Sequence, residues 1–150
     1  MHDAYVKEII RDKGSEVWTV PADATAFEAL GVMADKNVGA VVVTGGPDRV
    51  IGIMSERDYA RKVVLQERLS RETPVAQIMS DEVQCVGMDH TCDDCMRLFT
   101  DRRIRHLPVI DDGKLAGIVS IGDVVNKIIS EQQATLTDLE NFITGAAYGG

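Results

Sequence analysis

Two short segments carry residue types suited to holding an anion: Gly52-Ile53-Met54-Ser55-Glu56-Arg57-Asp58 and Gly117-Ile118-Val119-Ser120-Ile121-Gly122-Asp123. In each, an apolar extended run gives way at the serine to the start of a helix. The first turn of a helix leaves backbone N–H groups unpaired and presents the positive end of its dipole, which favours negative charge. Ser-x-x-Asp is equally a capping pair, in which the hydroxyl takes one free N–H and the carboxylate another. The two roles are compatible, because an ionised carboxylate accepts several hydrogen bonds and donates none.

Arg57, Arg61 and Lys62 form one positive cluster; Arg102, Arg103, Arg105 and His106 form a second. Guanidinium groups pair well with phosphate oxygens, so either cluster suits a small anionic ligand. Arg102, Arg103 and Arg105 also follow a helix, whose negative end attracts cations without any ligand. His106 reads as a hydrogen-bonded structural residue and not as an acid–base catalyst. Cys85, His90, Cys92 and Cys95 place four soft ligands within eleven residues, a spacing that invites zinc. Their counterparts elsewhere in the chain are Thr19, Ala24, Ala26 and Ala29, so a small apolar packing role is expected and no metal site. There is no nucleophile–base–orienter set and no carboxylate pair isolated in an apolar surrounding, so no catalysis and no catalytic cofactor are expected.

Bulk composition narrows the class further. The chain has 150 residues, 45% of them hydrophobic and 27% charged, as in an ordinary globular protein. A net charge of −8 argues against a protein that coats nucleic acid, where phosphate neutralisation needs a basic surface. No apolar run approaches the roughly 20 residues of a membrane span, and residues 1–20 lack a signal-peptide pattern. Three cysteines without a disulfide framework fit a reducing compartment, so a cytoplasmic location is expected.

The two motifs belong to a longer internal repeat. Val17, Val20, Asp23, Thr25, Asp35 and Val43 recur sixty-six positions on as Val83, Val86, Asp89, Thr91, Asp101 and Val109, and the offset becomes sixty-five at the Gly-Ile-x-Ser motif. Each half reads strand, helix, strand, strand, helix. In the first, Val17 to Val20 is a strand ended by Pro21, and Thr25 with Glu28 makes a capping box for a helix bearing Phe27, Leu30 and Met33. Val38 to Val43 and Val50 to Met54 flank the turn at Gly45 to Asp48, and a helix from Ser55 presents Tyr59, Val63 and Leu65 inward. In the second, Val83 to Val86, a helix capped by Thr91 and Asp94 with Met96 and Phe99 inward, Leu107 to Ile110 and Leu115 to Val119 repeat the plan. Its last helix opens at Ser120 and buries Val124, Val125, Ile128 and Ile129. Lead-ins at Val6, Ile9, Ile10 and at Val75, Ile78, Met79 precede the halves. Boundaries of 6–65 and 75–130 follow, joined by a polar linker at 66–74. Residues 131–150 form a C-terminal helix and tail. Leu136, Leu139, Phe142 and Ile143 give that helix an apolar face to dock on the body or on a second subunit; Gly145 stops it and Gly149-Gly150 frays.

Two β-α-β-β-α units, each ending in Gly-apolar-x-Ser-x-x-Asp, resemble the CBS-domain pair, with Ile104 to Val109 and Ser120 to Val125 narrowing the likeness to small stand-alone bacterial members. The resemblance implies an α/β fold of tandem CBS domains with pseudo-twofold symmetry, assembled as a homodimer. It implies a regulatory sensor of an adenine nucleotide (AMP, ATP or NAD(H), with S-adenosylmethionine less favoured) that signals to another protein. It assigns Asp58 and Asp123 to ribose hydroxyls in two clefts between the halves. One cleft would use Lys13, Val17, Trp18, Gly39 and Ala40 with Ser120 and Asp123; the other Ser80, Gln84, Arg105, His106 and Pro108 with Ser55, Arg57 and Asp58. Gly39 and Ala40 are small enough for a flat base to approach, and Trp18 is either core or a stacking surface. The alternative is a protein-interaction module that keeps the fold without a physiological nucleotide.

The halves are not copies. Arg57 stands where the second motif has Gly122, Arg61-Lys62 where it has Asn126-Lys127, and Gly39-Ala40 where it has Arg105-His106. The clefts are therefore expected to differ, with the Arg57 cleft better suited to phosphate.

Overall fold

The structure, a computed structural model, describes residues 4–147, with side chains described to Ile143. Each half is a three-stranded sheet with helices packed on it. The first sheet runs β1 (Thr19–Pro21), β2 (Ala40–Thr44), β3 (Val50–Ser55); the second runs β4 (Val86–Gly87), β5 (His106–Asp111), β6 (Lys114–Ser120). In both, the outer strand is parallel to the middle one and the third is antiparallel to it. Helix α2 (Ala26–Lys36) makes the crossover in the first half and α4 (Cys92–Arg102) in the second. The short helix α3 (Glu56–Tyr59) continues into a π-helical turn at Ala60–Val64, while α5 (Ile121–Ala147) is long.

Local chemistry accounts for these limits. Thr25 caps α2, its hydroxyl accepting from the Glu28 N–H at 3.1 Å. The expected reciprocal bond from the Glu28 carboxylate does not form, so that box is half made. Thr91 and Asp94 complete theirs, at 3.0 and 2.9 Å, and the bonds from Thr91 hold the Asp94 carboxyl below the usual carboxylate range. The outer strands begin later than the apolar pattern suggests. Val17 and Trp18 precede the ladder, which pairs Thr19 with Val42, and Val86 is the first residue of β4 to pair. Pro21 ends β1 on the sheet edge, where a missing N–H costs nothing.

The lead-in segments cross over. Helix α1 (Val6–Lys13) buries Val6, Ile9 and Ile10 in the core of the second half, against Phe99, Leu107, Val119 and Val124. The 3-10 turn at Val75–Gln77 places Val75 and Ile78 in the core of the first, with Met33, Val41, Val43 and Met54. Backbone bonds fix both crossings: Val6 N–H to the His90 carbonyl at 2.8 Å, and Val75 N–H to the Ala24 carbonyl at 2.7 Å. Each half is thus completed by chain that precedes the other.

Some helical positions depart from the expected inward set. Leu65 is 76% exposed, because the π-helical turn rotates it off the face that buries Val63. Val124 is buried, but Val125 and Ile129 face solvent. Residues 131–147 are not a separate helix but the continuation of α5, and Gly145 lies within it. A glycine inside a helix costs only about 1 kcal/mol and caps it only where the chain turns left-handed. At 27 residues α5 spans roughly 40 Å by its rise per residue. Leu136, Leu139, Phe142 and Ile143 are all more than half exposed, so the helix does not dock on the body of its own chain. Gly149-Gly150 lies outside the described residues.

Candidate functional site

Ser55 ends β3 and caps α3. Its hydroxyl accepts from the Asp58 N–H at 3.2 Å, and Asp58 Oδ2 accepts from the Ser55 N–H at 2.9 Å and lies 3.1 Å from its hydroxyl. Oδ1 faces Lys62 Nζ at 3.5 Å. One carboxylate edge is thereby fixed by the cap, while the side chain still faces a cavity of about 530 Å³ between the halves.

Ser55, Arg57 and Asp58 line that cavity from the first half, and Ser80, Gln84, Arg105 and His106 from the second. Arg61, Lys62, Arg102 and Arg103 add positive charge, giving six Lys and Arg side chains against the acidic Glu56, Asp58 and Glu82. Arg103 reaches the wall from a left-handed position (φ 54°) that ends α4. Glu82, Val83 and Ile104 line it too; the sequence marks Val83 only as part of a repeat strand and Ile104 only as part of the family-like segment, and Glu82 is signalled only by its place near Gln84. Two expected residues sit elsewhere. Pro108 is buried in β5 opposite Ile118, outside this cavity: it shares a strand face with His106 but lies two residues, roughly 7 Å, further along. Gly39, expected opposite Asp123, lines the Asp58 cavity instead. A Cβ there would meet His106 Nε2 at 3.5 Å, an ordinary van der Waals contact, so the imidazole packs directly beside Gly39.

His106 lies between the two motifs. Burial holds its pKa below the ordinary histidine value; Asp123 and Asp58 pull the other way, and Lys13 and Arg105 add to the depression. It is a neutral imidazole at pH 7.

At the second motif, Ser120 and Asp123 form the same cap, with Ser120 N–H to Asp123 Oδ2 at 2.8 Å and Asp123 N–H to the Ser120 hydroxyl at 3.1 Å. Here Lys13 Nζ donates to Asp123 Oδ2 at 2.7 Å and to the Ile118 carbonyl at 3.0 Å. Burial alone would raise the Asp123 pKa, but the Lys13 and Ser120 hydrogen bonds outweigh it and hold the carboxyl below its usual range. Val17 and Trp18 are half-buried; Trp18 packs against the first core with Lys36 Nζ 4.5 Å from its ring centroid. Ala40 is buried in β2 opposite Ser55.

Cys92 and Cys95 are buried in the second core, where their counterparts Ala26 and Ala29 are buried in the first. Burial, with the nearby Cys92 and Asp94, pushes the Cys95 thiol up to about 12. His90 Nδ1 accepts from the Gly87 N–H at 2.8 Å. Among the described residues no group of three or more His, Cys, Asp or Glu is arranged to hold a metal ion, and no helix is long and apolar enough to cross a membrane.

The family model described as CBS domain matches residues 6–65 and 75–130. A mitochondrial CBS domain-containing protein of Arabidopsis thaliana is 38% identical over 149 residues, covering 93% of this chain and 72% of its own length. A solved protein with CBS domains from Burkholderia ambifaria is 45% identical, with a TM-score of 0.81 over 86% of this chain and 96% of that one. A CBS domain protein from Pyrobaculum aerophilum, solved in complex with AMP, is 26% identical, with a TM-score of 0.71 over 79% of this chain and 88% of that one.

Proposed function

The chain belongs to the CBS-domain family of regulatory modules, and on that premise we propose that it senses an adenine nucleotide bound in the cleft lined by Asp58 and Arg57. The observation that carries the proposal is the combination in one cavity of a capped, acceptor-only carboxylate with a ring of arginines. Asp58 takes the ribose hydroxyls, and Arg57 and Arg105 take the phosphate. The two come from different halves, so a bound phosphate ties the halves together. The base lies toward Gly39 and His106, which line the same cavity. AMP is the first ligand to test, because the Pyrobaculum relative carries it; ATP and NAD(H) share its ribose and phosphate.

The chain works as a homodimer whose arrangement the nucleotide biases, and a partner protein reads that arrangement. Such a shift requires different affinities for the two arrangements. The apolar face of α5 that its own body leaves uncovered supplies a contact between copies.

Thermal unfolding with AMP, ATP and NAD(H) tests the nucleotide reading. Ligand at a hundredfold over Kd stabilises the folded state by about 2.7 kcal/mol. For a chain of this size that raises Tm by about 5–10 °C. No rise with any of the three returns the protein to the interaction-module alternative.

A further inference from the structure

We infer that Lys13 is an internal ligand that closes the second Ser-x-x-Asp corner, so that the chain takes one nucleotide and not two. The inference rests on the reading of Ser-x-x-Asp as a ribose corner, and it reassigns Lys13 from contacting nucleotide to excluding it.

The ammonium bridges Asp123 Oδ2 and the Ile118 carbonyl, and so occupies the Oδ2 edge of that corner. Asp123 Oδ2 receives Lys13 Nζ at 2.7 Å and the Ser120 N–H at 2.8 Å. A nucleotide entering there must first break a charge-assisted hydrogen bond, which is stronger than the neutral ones it brings. At the other corner no lysine among the described residues is hydrogen-bonded to the carboxylate, whose Oδ2 takes the Ser55 N–H and hydroxyl. Its lysine, Lys62, comes from the adjoining turn, lies 3.5 Å from Oδ1, and donates to the Ile78 carbonyl at 3.1 Å.

The carbonyl that anchors Lys13 makes the asymmetry specific. Ile118 and Ile53 are equivalent residues of the repeat. The Ile53 carbonyl accepts a main-chain bond from the Ser80 N–H at 2.9 Å, whereas the Ile118 carbonyl accepts from Lys13 Nζ at 3.0 Å. The side chain therefore takes, in one half, a place that backbone fills in the other.

The fold also fixes where Lys13 comes from. Helix α1 crosses to the second half and ends at Lys13, with the Gly14 N–H closing on the Ile10 carbonyl at 2.8 Å. Ile10 lies over Gly117 so closely that a Cβ there would sit 2.7 Å from its Cδ1. Beside Lys13, Asp12 Oδ2 pairs with Lys127 Nζ of α5 at 3.1 Å. The ammonium is thus delivered by an anchored helix end and not by a loose loop.

Calorimetric titration with AMP tests this on the full chain. The parent and Lys13→Arg should bind one AMP per chain, and Lys13→Met should bind two. A parent that binds two, a Lys13→Met that still binds one, or a Lys13→Met with weakened binding overturns the inference; weakened binding would make Lys13 a nucleotide contact. Circular dichroism checks the fold of Lys13→Met, and Lys13→Gln replaces it if it is lost. In crystals of the parent grown with AMP, Lys13 must remain on Asp123. The two readings fail separately. A parent that binds no AMP with a Lys13→Met that binds one defeats the Asp58 cleft alone. Binding in the parent that Asp58→Ala abolishes, with no gain in Lys13→Met, defeats the inference alone.

Discussion

Replacing Asp58 by alanine removes a helix cap and a ligand acceptor together, and replacing it by asparagine separates them. In the unliganded protein Oδ2 accepts from the Ser55 N–H at 2.9 Å, while Oδ1 meets Lys62 only at 3.5 Å. Losing a capping interaction costs about 1 kcal/mol, or about 2–4 °C in Tm for a chain of this size. The Lys62 pair adds little, because its ammonium is partly exposed and screened. Hydrogen bonds to a charged acceptor contribute about 1.5–3 kcal/mol each. With two ribose hydroxyls on one carboxylate and incomplete additivity, a loss of about 2–4 kcal/mol is expected in Asp58→Ala. That weakens AMP binding about 30- to 1,000-fold. Asparagine keeps an oxygen for the Ser55 N–H but loses the charge, so Asp58→Asn should melt near the parent and still bind at least about tenfold more weakly. Calorimetric titration and a thermal melt on the same samples measure both quantities. An Asp58→Ala protein that melts lower but binds AMP within about threefold of the parent leaves the carboxylate a cap and refutes the ribose assignment.

Three further outcomes follow from exposed or buried chemistry. If the proposed homodimer forms through α5, Leu136→Asp combined with Leu139→Asp should convert it to monomer in light scattering without lowering helix content, since both side chains are exposed on a single chain; an unchanged dimer places the contact elsewhere. In the native protein at pH 8 a thiol reagent should modify Cys85 alone, and all three cysteines after unfolding. Desolvation raises the thiol of Cys85 as well as that of Cys92, but Cys85 is exposed while Cys92 and Cys95 are enclosed in the core, with Cys95 pushed up to about 12; rapid native labelling of all three contradicts that core. Burial depresses His106 below the unfolded histidine value of about 6.5, so the unfolded chain binds the extra proton first. Stability that is full above about pH 6.5 should fall as pH drops below it. Urea unfolding between pH 7.5 and 5 measures this, and a slope unchanged in His106→Gln excludes His106 as its source.

The fold was legible wherever one residue type has one physical use. Thr25 and Thr91 cap their helices as their spacing requires, and both apolar runs after those helices are central strands. The pattern gave way where hydrophobicity and position compete. Val125 and Ile129 have the spacing of buried residues yet face solvent, because the face of α5 that packs on the core is the one carrying Val124 and Ile128. Leu65 was misplaced by a π-helical turn, a local underwinding that no side-chain pattern announces. The crossover of the lead-in segments was hidden for another reason. Val6 to Ile10 and Val75 to Met79 are apolar whichever half they complete, and only packing decides between them.

That crossover is also what limited reading the site from the repeat. Aligning the halves exposes differences between equivalent positions, such as Arg57 against Gly122, and so points to the Asp58 cleft as the better phosphate site. It cannot show a difference that arises between non-equivalent positions. Lys13 and Asp123 are 110 residues apart and meet only because α1 completes the second half. In the first half the segment that completes the core is a short 3-10 turn, which brings Ser80 backbone to the Ile53 carbonyl and leaves Glu82 and Gln84 on the cavity wall. A helix and a turn in otherwise matching places thus deliver an ammonium to one corner and a polar, open wall to the other. On the reading proposed here, the two motifs diverge chiefly through what the crossing segments bring to them. Exchanging side chains within the motifs alone should therefore not make the corners equivalent.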